Sequence, residues 1–513
     1  MKTEKIRISR RSFLQAAGLL TLSAGLSACG GTQQTTSSGT QTAYSLEDAV
    51  RAEFTDTAIT LSPEDDSGCT VKGTALTITA AGTYALSGSC PDGCIRVDAG
   101  VEEVVLVLNG LTLTSETTAP LVCGKASGVT VAAANGTENT LADTETNNKD
   151  NENATEDAEN AVIKCKDGAQ VVLCGGGTLT LAAAGKNGIK AGAAQDDRDA
   201  SLTIRELTLN IDAPVNDAIN AEQLLNVESG TLNLAAGDDA VHSDLYLNVG
   251  AEGTDGPTIT VSTCYEGLEA AELKIYSGTI DITATDDCLN AANSDLGDYA
   301  FLMDISGGTI TAYSSEGDGF DSNGTMTISG GSIAVWTANT ADNQPLDADG
   351  TISITGGTVL AAGGSAGMGM TLEAGQPCIS FGGNRDALSL ASGSGFSVCN
   401  AEGTVLYTAQ AVCDANYLFF SSPDLTDEEN YTLTYSGSAT AQAQTGTVSD
   451  GMPGGPDGEQ PPQDGQMPGS GQTPPEGQAP GDGQTPPDGQ APGKGQPPQA
   501  ADSTAAASAG SAA

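Results

Sequence analysis

Short stretches of strict apolar/polar alternation recur along the chain: Leu179/Leu181, Leu232/Leu234, Ile259/Val261, Ile280/Ile282, Met326/Ile328 and Ile352/Ile354, most of them opened by SGT, GGT or GPT. A period of two over about five residues after a glycine marks a strand with one buried face. Among these stretches a second unit repeats seven times from Lys186 to Asp349, as NGIKA, DAINA, DAVHS, EGLEA, DCLNA, DGFDS and QPLDA. Each copy sets one large apolar residue between two pairs of a polar and a small residue: Ile189, Ile219, Val241, Leu268, Leu289, Phe320 and Leu346.

These anchors lie roughly 20 to 30 residues apart, the self-similarity of stacked coils rather than of one globule. Helical spacing with paired caps is nearly absent. The pattern predicts an all-β chain, a parallel β-solenoid with two or three strands per coil and Gly/Asn/Asp corners. A sandwich or propeller of hairpins would want two-residue turns between strands, whereas here one acidic corner returns coil after coil. VVLVLNGLTLT at 104–114, GVTVAAANGTENTLAD at 128–143 and AQVVLCGGGTLTL at 169–181 extend the pattern upstream. The solenoid is therefore expected over 95–372, after an N-terminal β cap at 46–94 and before a β-rich module at 373–445.

Stacking turns the repeated corners into rows, because equivalent positions in successive coils sit about 4.8 Å apart. One row passes through Asp217, Asp239, Glu266, Asp287 and Asp318, and another through Asn220, His242, Glu269, Asn290, Asp321 and Asp347. Two carboxylates at that spacing repel by roughly 3 to 4 kcal/mol at an effective dielectric near 20 and by about 1 kcal/mol in water. Solvent exposure, raised pKa values or a bound cation would each relieve this. Calcium takes six to eight oxygens from a flexible set of carboxylates, amides and carbonyls, which suits the mixture of Asp, Asn and Glu. The candidate ligands are Asp217, Asp238, Asp239, Glu266, Asp286, Asp287, Asp318, Asp321, Asp347 and Asp349, with Asp238/Asp239, Asp286/Asp287 and Asp347/Asp349 as the leading pairs. Solvated Asx turns at the corners are the alternative.

The ends of the chain read differently. Ser9–Leu14, with Arg10 and Arg11, form a twin-arginine signal, and an apolar run leads to Leu26, Ser27, Ala28 and Cys29, a lipobox. The expectation is a signal peptide over 1–28, lipidation of Cys29, and a lipoprotein anchored on the outer face of a bacterial cytoplasmic membrane. Residues 29–45 read as a flexible linker. Residues 446–513 hold 13 of the 21 prolines, so they read as a disordered Pro/Gly/Gln-rich tail.

Removing 1–28 takes five basic residues and Glu4 from the 19 basic and 66 acidic, leaving 14 and 65 and a formal charge of −51. Nucleic acid and anionic lipid surfaces are excluded as partners by that sign. Eleven cysteines remain beside Cys29, an odd number with no CxxC pair. Cys165, Cys174 and Cys288 fall where other coils place small or apolar residues, so buried free thiols are expected. One histidine and no tight cysteine spacing give no reason to expect zinc.

TDDCLN at 285–290 and GDDAVH at 237–242 are similar to the paired aspartates of β-helical polygalacturonases, but the accompanying Asn-Thr-Asp, His-Gly and Arg-Ile-Lys motifs are missing. Repetition explains those pairs without catalysis, and no catalytic residue is assigned. A lyase would need a lysine or arginine base beside calcium, for which Lys186, Lys190 and Lys274 are candidates. His242 reads as a polar member of its row. Aromatic residues make up 4% of the chain, too few for a broad stacking platform. Trp336 and Tyr313 are the candidate sugar-binding rings.

Taken in order, ITLSPEDDSGCTVKGTALTITAAGTYALSGSC, VVLVLNGLTLTSETTAPLVC, NGTENTLAD, NAVIKCKDG and DADGTISITGGTVLAAGGSAGMGM resemble the bacterial β-helical carbohydrate-binding domain family related to the pectate lyase fold. The likeness covers about residues 55 to 440, and 396–437 looks like the small β-rich module that follows the helix in that family. It implies a right-handed parallel β-helix, bound Ca2+, and binding of cellulose-like or acidic, pectin-like polysaccharide. The cysteine content and Pro345, which stands in QPLDA where other copies have Gly, depart from the family pattern. The leading expectation is a monomeric, lipid-anchored surface protein that captures polysaccharide through calcium without catalysis. A lyase or hydrolase of uronate polymers, with Lys186, Lys190, Asp239 and Asp287 as its candidates, and a structural surface adhesin are the alternatives.

Overall fold

Eleven apolar side chains, Leu76, Ile95, Leu121, Ile163, Ile189, Ile219, Val241, Leu268, Leu289, Phe320 and Leu346, lie in register one behind the next. All are fully buried. They form one inward ladder of a β-solenoid of about 11 turns, seen in a computed structural model that describes residues 44, 46–64, 67–338, 343–364, 371–382, 388–435 and 439–444. The twin-arginine signal with Arg10 and Arg11, the lipidation residue Cys29, nearly all of the linker and the tail 446–513 lie outside the described residues.

Two further ladders complete the coil. Val129, Val171, Leu202, Leu225, Leu247, Leu273, Met303, Met326 and Ile352 form one. Leu113, Leu141, Leu181, Ile211, Leu234, Val261, Ile282, Ala312, Val335 and Ala361 form the other. The alternation read from the sequence is thus an inside/outside alternation. Thr279–Ala284, for example, buries Ile280, Ile282 and Ala284 and exposes Thr279, Asp281 and Thr283. Burying a Leu or Ile contributes about 1.5 to 3 kcal/mol, and each rung also closes parallel hydrogen bonds on both sides.

The corner cassettes are held by a main-chain ladder of their own. The amides of Gly188, Ala218, Ala240, Gly267 and Gly319 donate to the carbonyls of Asp217, Asp239, Glu266, Asp287 and Gln344 in the next coil, at 2.8–3.0 Å. So close an approach explains the small residue: a Cβ on Gly267 would lie 2.1 Å from the Cys288 oxygen.

Parallel pairing already runs through the segment read as an N-terminal cap: Gly82–Cys90 pairs with Val104–Ser115, and Ala75–Ile78 with Cys94–Val97. Ahead of it, Val50–Phe54 pairs antiparallel with Ile59–Ser62. At the other end Thr358–Gly363 pairs antiparallel with Tyr417–Ser421, which in turn pairs antiparallel with Cys378–Gly382. A four-stranded antiparallel sheet, in the order Val405–Gln410, Gly395–Cys399, Asn430–Tyr435 and Ala439–Gln444, follows. Nine cysteines within the described residues, the buried Cys123, Cys165, Cys174 and Cys288 among them, are free, and no helix there is long and apolar enough to cross a membrane.

Candidate metal centre

In the corner row Asp217, Glu266, Asp287 and Asp318 reach toward the coil that follows, while Asp239 turns to His242 in its own cassette. Asp217 Oδ1 accepts the Asp239 amide at 3.3 Å, Asp287 Oδ1 the Asp318 amide at 2.7 Å, and Asp318 Oδ1 the Gln344 amide at 2.6 Å. Glu266 Oε2 instead accepts the Asn290 side-chain amide at 2.9 Å. These residues act first as side-chain braces between coils, a role that a lone Asx turn at a solvated corner would not need.

The neighbouring row faces outward from the cassette strands. Arg96, Val122, Lys164, Lys190, Asn220, His242, Glu269, Asn290 and Asp321 follow one another in strict register, so the row passes from basic to acidic along the solenoid. The Phe320–Leu346 bridge brings Asp347 up behind Asp321.

Among the described residues, two groups of side chains converge closely enough to hold an ion. Asp318, Asp321 and Asp347 bring carboxylate oxygens within 4.8 Å of one another, as Asp239, His242 and Glu269 do with their own donor atoms. The first group has no basic residue among its ion-pair partners within the described residues. Beside it Gln344 gives its side-chain amide to Asp347 at 3.4 Å while its buried Oε1 has no hydrogen-bond partner among the described residues. Asn290, in register with Asp321, likewise has a buried Oδ1 without a partner among the described residues. Buried amide oxygens without partners are costly, and carboxylates plus amide oxygens are the donor set that calcium accepts. The residues present therefore fit the ion implied by the resemblance at Asp318, Asp321 and Asp347, with Gln344 beside them as a neutral donor.

Burial and crowding of like charges raise the carboxyls of both rows. Burial raises Asp287 to about 8, reinforced by the charges of Asp286, Asp321 and Asp318 against the pull of the Asp318 amide. Burial and then Glu269 raise Glu266 to about 8, and burial raises Asp239 to about 7. Asp318 and Asp321 are raised to about 6, chiefly by burial. Burial opposes charge on the His242 ring, but hydrogen bonds to Asp239, Asp244 and Glu269 outweigh it and raise the imidazole to about 12.

Carboxyls raised in this way hold protons that the unfolded chain releases near pH 4. The folded state then binds more protons than the unfolded between about pH 4 and pH 8, so stability falls as pH rises through that window. His242 acts in the same direction above about pH 6.5. The metal-stripped protein is expected to melt at least ~5 °C lower at pH 8 than at pH 5, as read by thermal circular dichroism. A melting point that climbs over that range would contradict this assignment.

The other expected residues fall elsewhere. Asp217 is buried and takes the Asn220 amide at 2.6 Å. Asp238 is exposed, and Asp286 is bonded to Tyr265, so the adjacent pairs Asp238/Asp239 and Asp286/Asp287 do not form the two converging groups. Asp349 adds its charge beside Asp321 and Asp347. Trp336, expected at a sugar-binding face, is 1% exposed. Its ring meets Phe396 edge-on, with centroids 6.0 Å apart, because the C-terminal sheet packs over that side of the coil. Tyr313, its register neighbour, is half-buried against the same apolar cluster. Lys186 pairs with Asp150, Lys190 with Asn220 and Glu222, and Lys274 with Glu272. The contact of Asp239 and Asp244 with His242 was not anticipated, although DAVHSD places the three within six residues.

Residues 72–367, more than half of the chain, match the family described as carbohydrate-binding domain-containing protein. A protein of that description from Acetivibrio thermocellus is 32% identical over 183 residues, which cover 36% of this chain and 60% of the relative. The match thus spans less than two thirds of that relative. The solved structure of a polysaccharide lyase-like protein from C. thermocellum, a gadolinium derivative, is 21% identical with a TM-score of 0.34, covering 60% of this chain and 96% of that one. With its carboxylate rows carried on a β-solenoid that the match spans almost from end to end, the chain belongs to the family of carbohydrate-binding domain-containing proteins.

Proposed function

We propose that this protein binds acidic polysaccharide at the bacterial cell surface through calcium held by Asp318, Asp321 and Asp347, anchored by a lipid on Cys29 after twin-arginine export. Family membership supports carbohydrate as the ligand. The observation that carries the ion is the buried, unpartnered Gln344 Oε1 beside three carboxylates that have no basic partner among the described residues. A chain of formal charge −47 repels a polyuronate unless a cation bridges the two anions. Calcium would supply that bridge, taking protein carboxylates on one side and uronate oxygens on the other. The protein's own part is to keep the oxygens converged and to hold the ion at the corner of a rigid coil.

The test is retention of the protein on polygalacturonate and on cellulose, with calcium and after chelation, with released sugar measured in the same samples. Retention on polygalacturonate is expected to need calcium and to fall by at least ~10-fold on chelation, a difference of about 1.4 kcal/mol. Binding indifferent to chelator would end the bridging reading, and sustained sugar release would replace it with catalysis.

A further inference from the structure

We propose that His242, Asp239 and Glu269 form a second metal site, separate from the calcium cluster, that takes a borderline transition-metal dication of the Zn2+ or Co2+ class. Two anionic oxygens converge on one ring nitrogen: Glu269 Oε2 lies 2.6 Å and Asp239 Oδ2 3.2 Å from His242 Nδ1. A ring nitrogen carries a single hydrogen, which cannot serve two carboxylates equally. A dication at that point binds all three donors at once.

The far side of the ring supplies an independent sign. His242 Nε2 faces Asp244 Oδ1 at 3.0 Å. Handing the second ring N–H to a carboxylate is how proteins orient a metal-ligating imidazole and raise its basicity. Charge favours the exchange too. With Asp239, Asp244 and Glu269 all ionised, an imidazolium leaves a net charge of −2, whereas a dication on a neutral ring leaves −1.

Geometry and donor chemistry decide the class of ion. A tetrahedral ion about 2.0 to 2.2 Å from each donor holds neighbouring donors roughly 3.3 Å apart. Asp239 already stands at 3.2 Å, and Glu269 must draw back by a side-chain rotation. The imidazole nitrogen suits zinc, cobalt, nickel or copper, while calcium prefers an all-oxygen shell, so the two clusters are set for different ions. On one flank of the row Asn220 is committed to Asp217 and Lys190. On the other, Asn290 separates Glu269 from Asp321, the nearest row member of the calcium cluster.

The experiment uses the full chain saturated with calcium and titrated with Co2+, then with Zn2+. One equivalent of cobalt is expected, with visible absorption of nitrogen/oxygen coordination, no thiolate charge-transfer band, and displacement by zinc. Because the chain holds one histidine, zinc should also shift the only imidazole signals in its NMR spectrum. H242N should weaken cobalt binding by at least about 100-fold and D244N by about 10- to 100-fold, with calcium binding unchanged in both. Absence of binding, cobalt affinity unaltered in H242N, or a thiolate band would each overturn the site. Should H242N fail to fold, the wild-type imidazole signals decide alone: unmoved by zinc, they refute it.

Discussion

Replacing Asp318, Asp321 and Asp347 together by asparagine is expected to remove calcium-dependent retention on polygalacturonate, lowering calcium affinity by at least ~100-fold, or about 2.7 kcal/mol. Calcium selects its sites by the number and charge of oxygen ligands, and this change strips three formal charges while preserving shape. The same variant carries a second, opposite signature. In the metal-free protein the three carboxyls are raised by burial first and then by nearby charges, Asp347 acting on Asp318, Asp318 and Asp347 on Asp321, and Asp349 on Asp347, so neutral amides relieve a standing penalty. Without calcium the variant should therefore melt above the wild type at pH 8, and the order should reverse once calcium is added. Isothermal titration and thermal melts in both conditions check the pair of outcomes. A variant that still gains stability from calcium as the wild type does would place the ion elsewhere.

F320A is expected to destabilise the solenoid by about 3 to 5 kcal/mol, the largest single-site effect foreseen here. The ring is fully buried and stands in register between Leu289 and Leu346. Its removal leaves a hole between two rungs rather than an exposed surface that water can fill. Stability in a solenoid is close to a sum over coils and their interfaces, so the loss should be local, with amide exchange speeding most near residues 289–346. Asp318 and Asp321 flank this ring in sequence, so calcium affinity should fall in the same variant. Alanine at the exposed Thr279 serves as the control and should stay within about 0.5 kcal/mol of wild type. Urea melts and hydrogen exchange read both effects; equal stability of the two variants would refute the ladder account.

Much of this architecture was legible because a coil repeats its own grammar. The period-two pairs such as Ile280/Ile282 announce an inside and an outside, and the anchors from Ile189 to Leu346 are register partners in the stack. What does not repeat was harder to see. In the first coil, 75–97, the acidic corner residue Asp92 stands one position farther from its anchor Ile95 than in the repeated cassette, so its parallel pairing had no matching unit to reveal it. Trp336 looked available because it is the one tryptophan of the chain and follows the inward-facing Val335, and only the antiparallel sheet folded over it makes that position interior. Which carboxylates meet depends on χ angles and on the lengths of loops between coils. Adjacent aspartates such as Asp286 and Asp287 therefore diverge, while Asp318 and Asp347 converge from different coils. Asp143 carried no repeat signal, yet it is buried and clasped by the Asn147 side chain and the Gly185 amide at 2.7 and 2.9 Å.

The strand Tyr417–Ser421 runs against the direction of every rung before it on its ladder. A stack of parallel, in-register strands is a template that a second copy could extend, the same logic by which fibrils grow. By laying a reversed strand on Thr358–Gly363 and burying Trp336 beneath Phe396, the chain gives an incoming parallel strand neither the polarity nor the free apolar surface it would copy. On that ladder, chain reversal is what lets a filament-like geometry end as a discrete molecule.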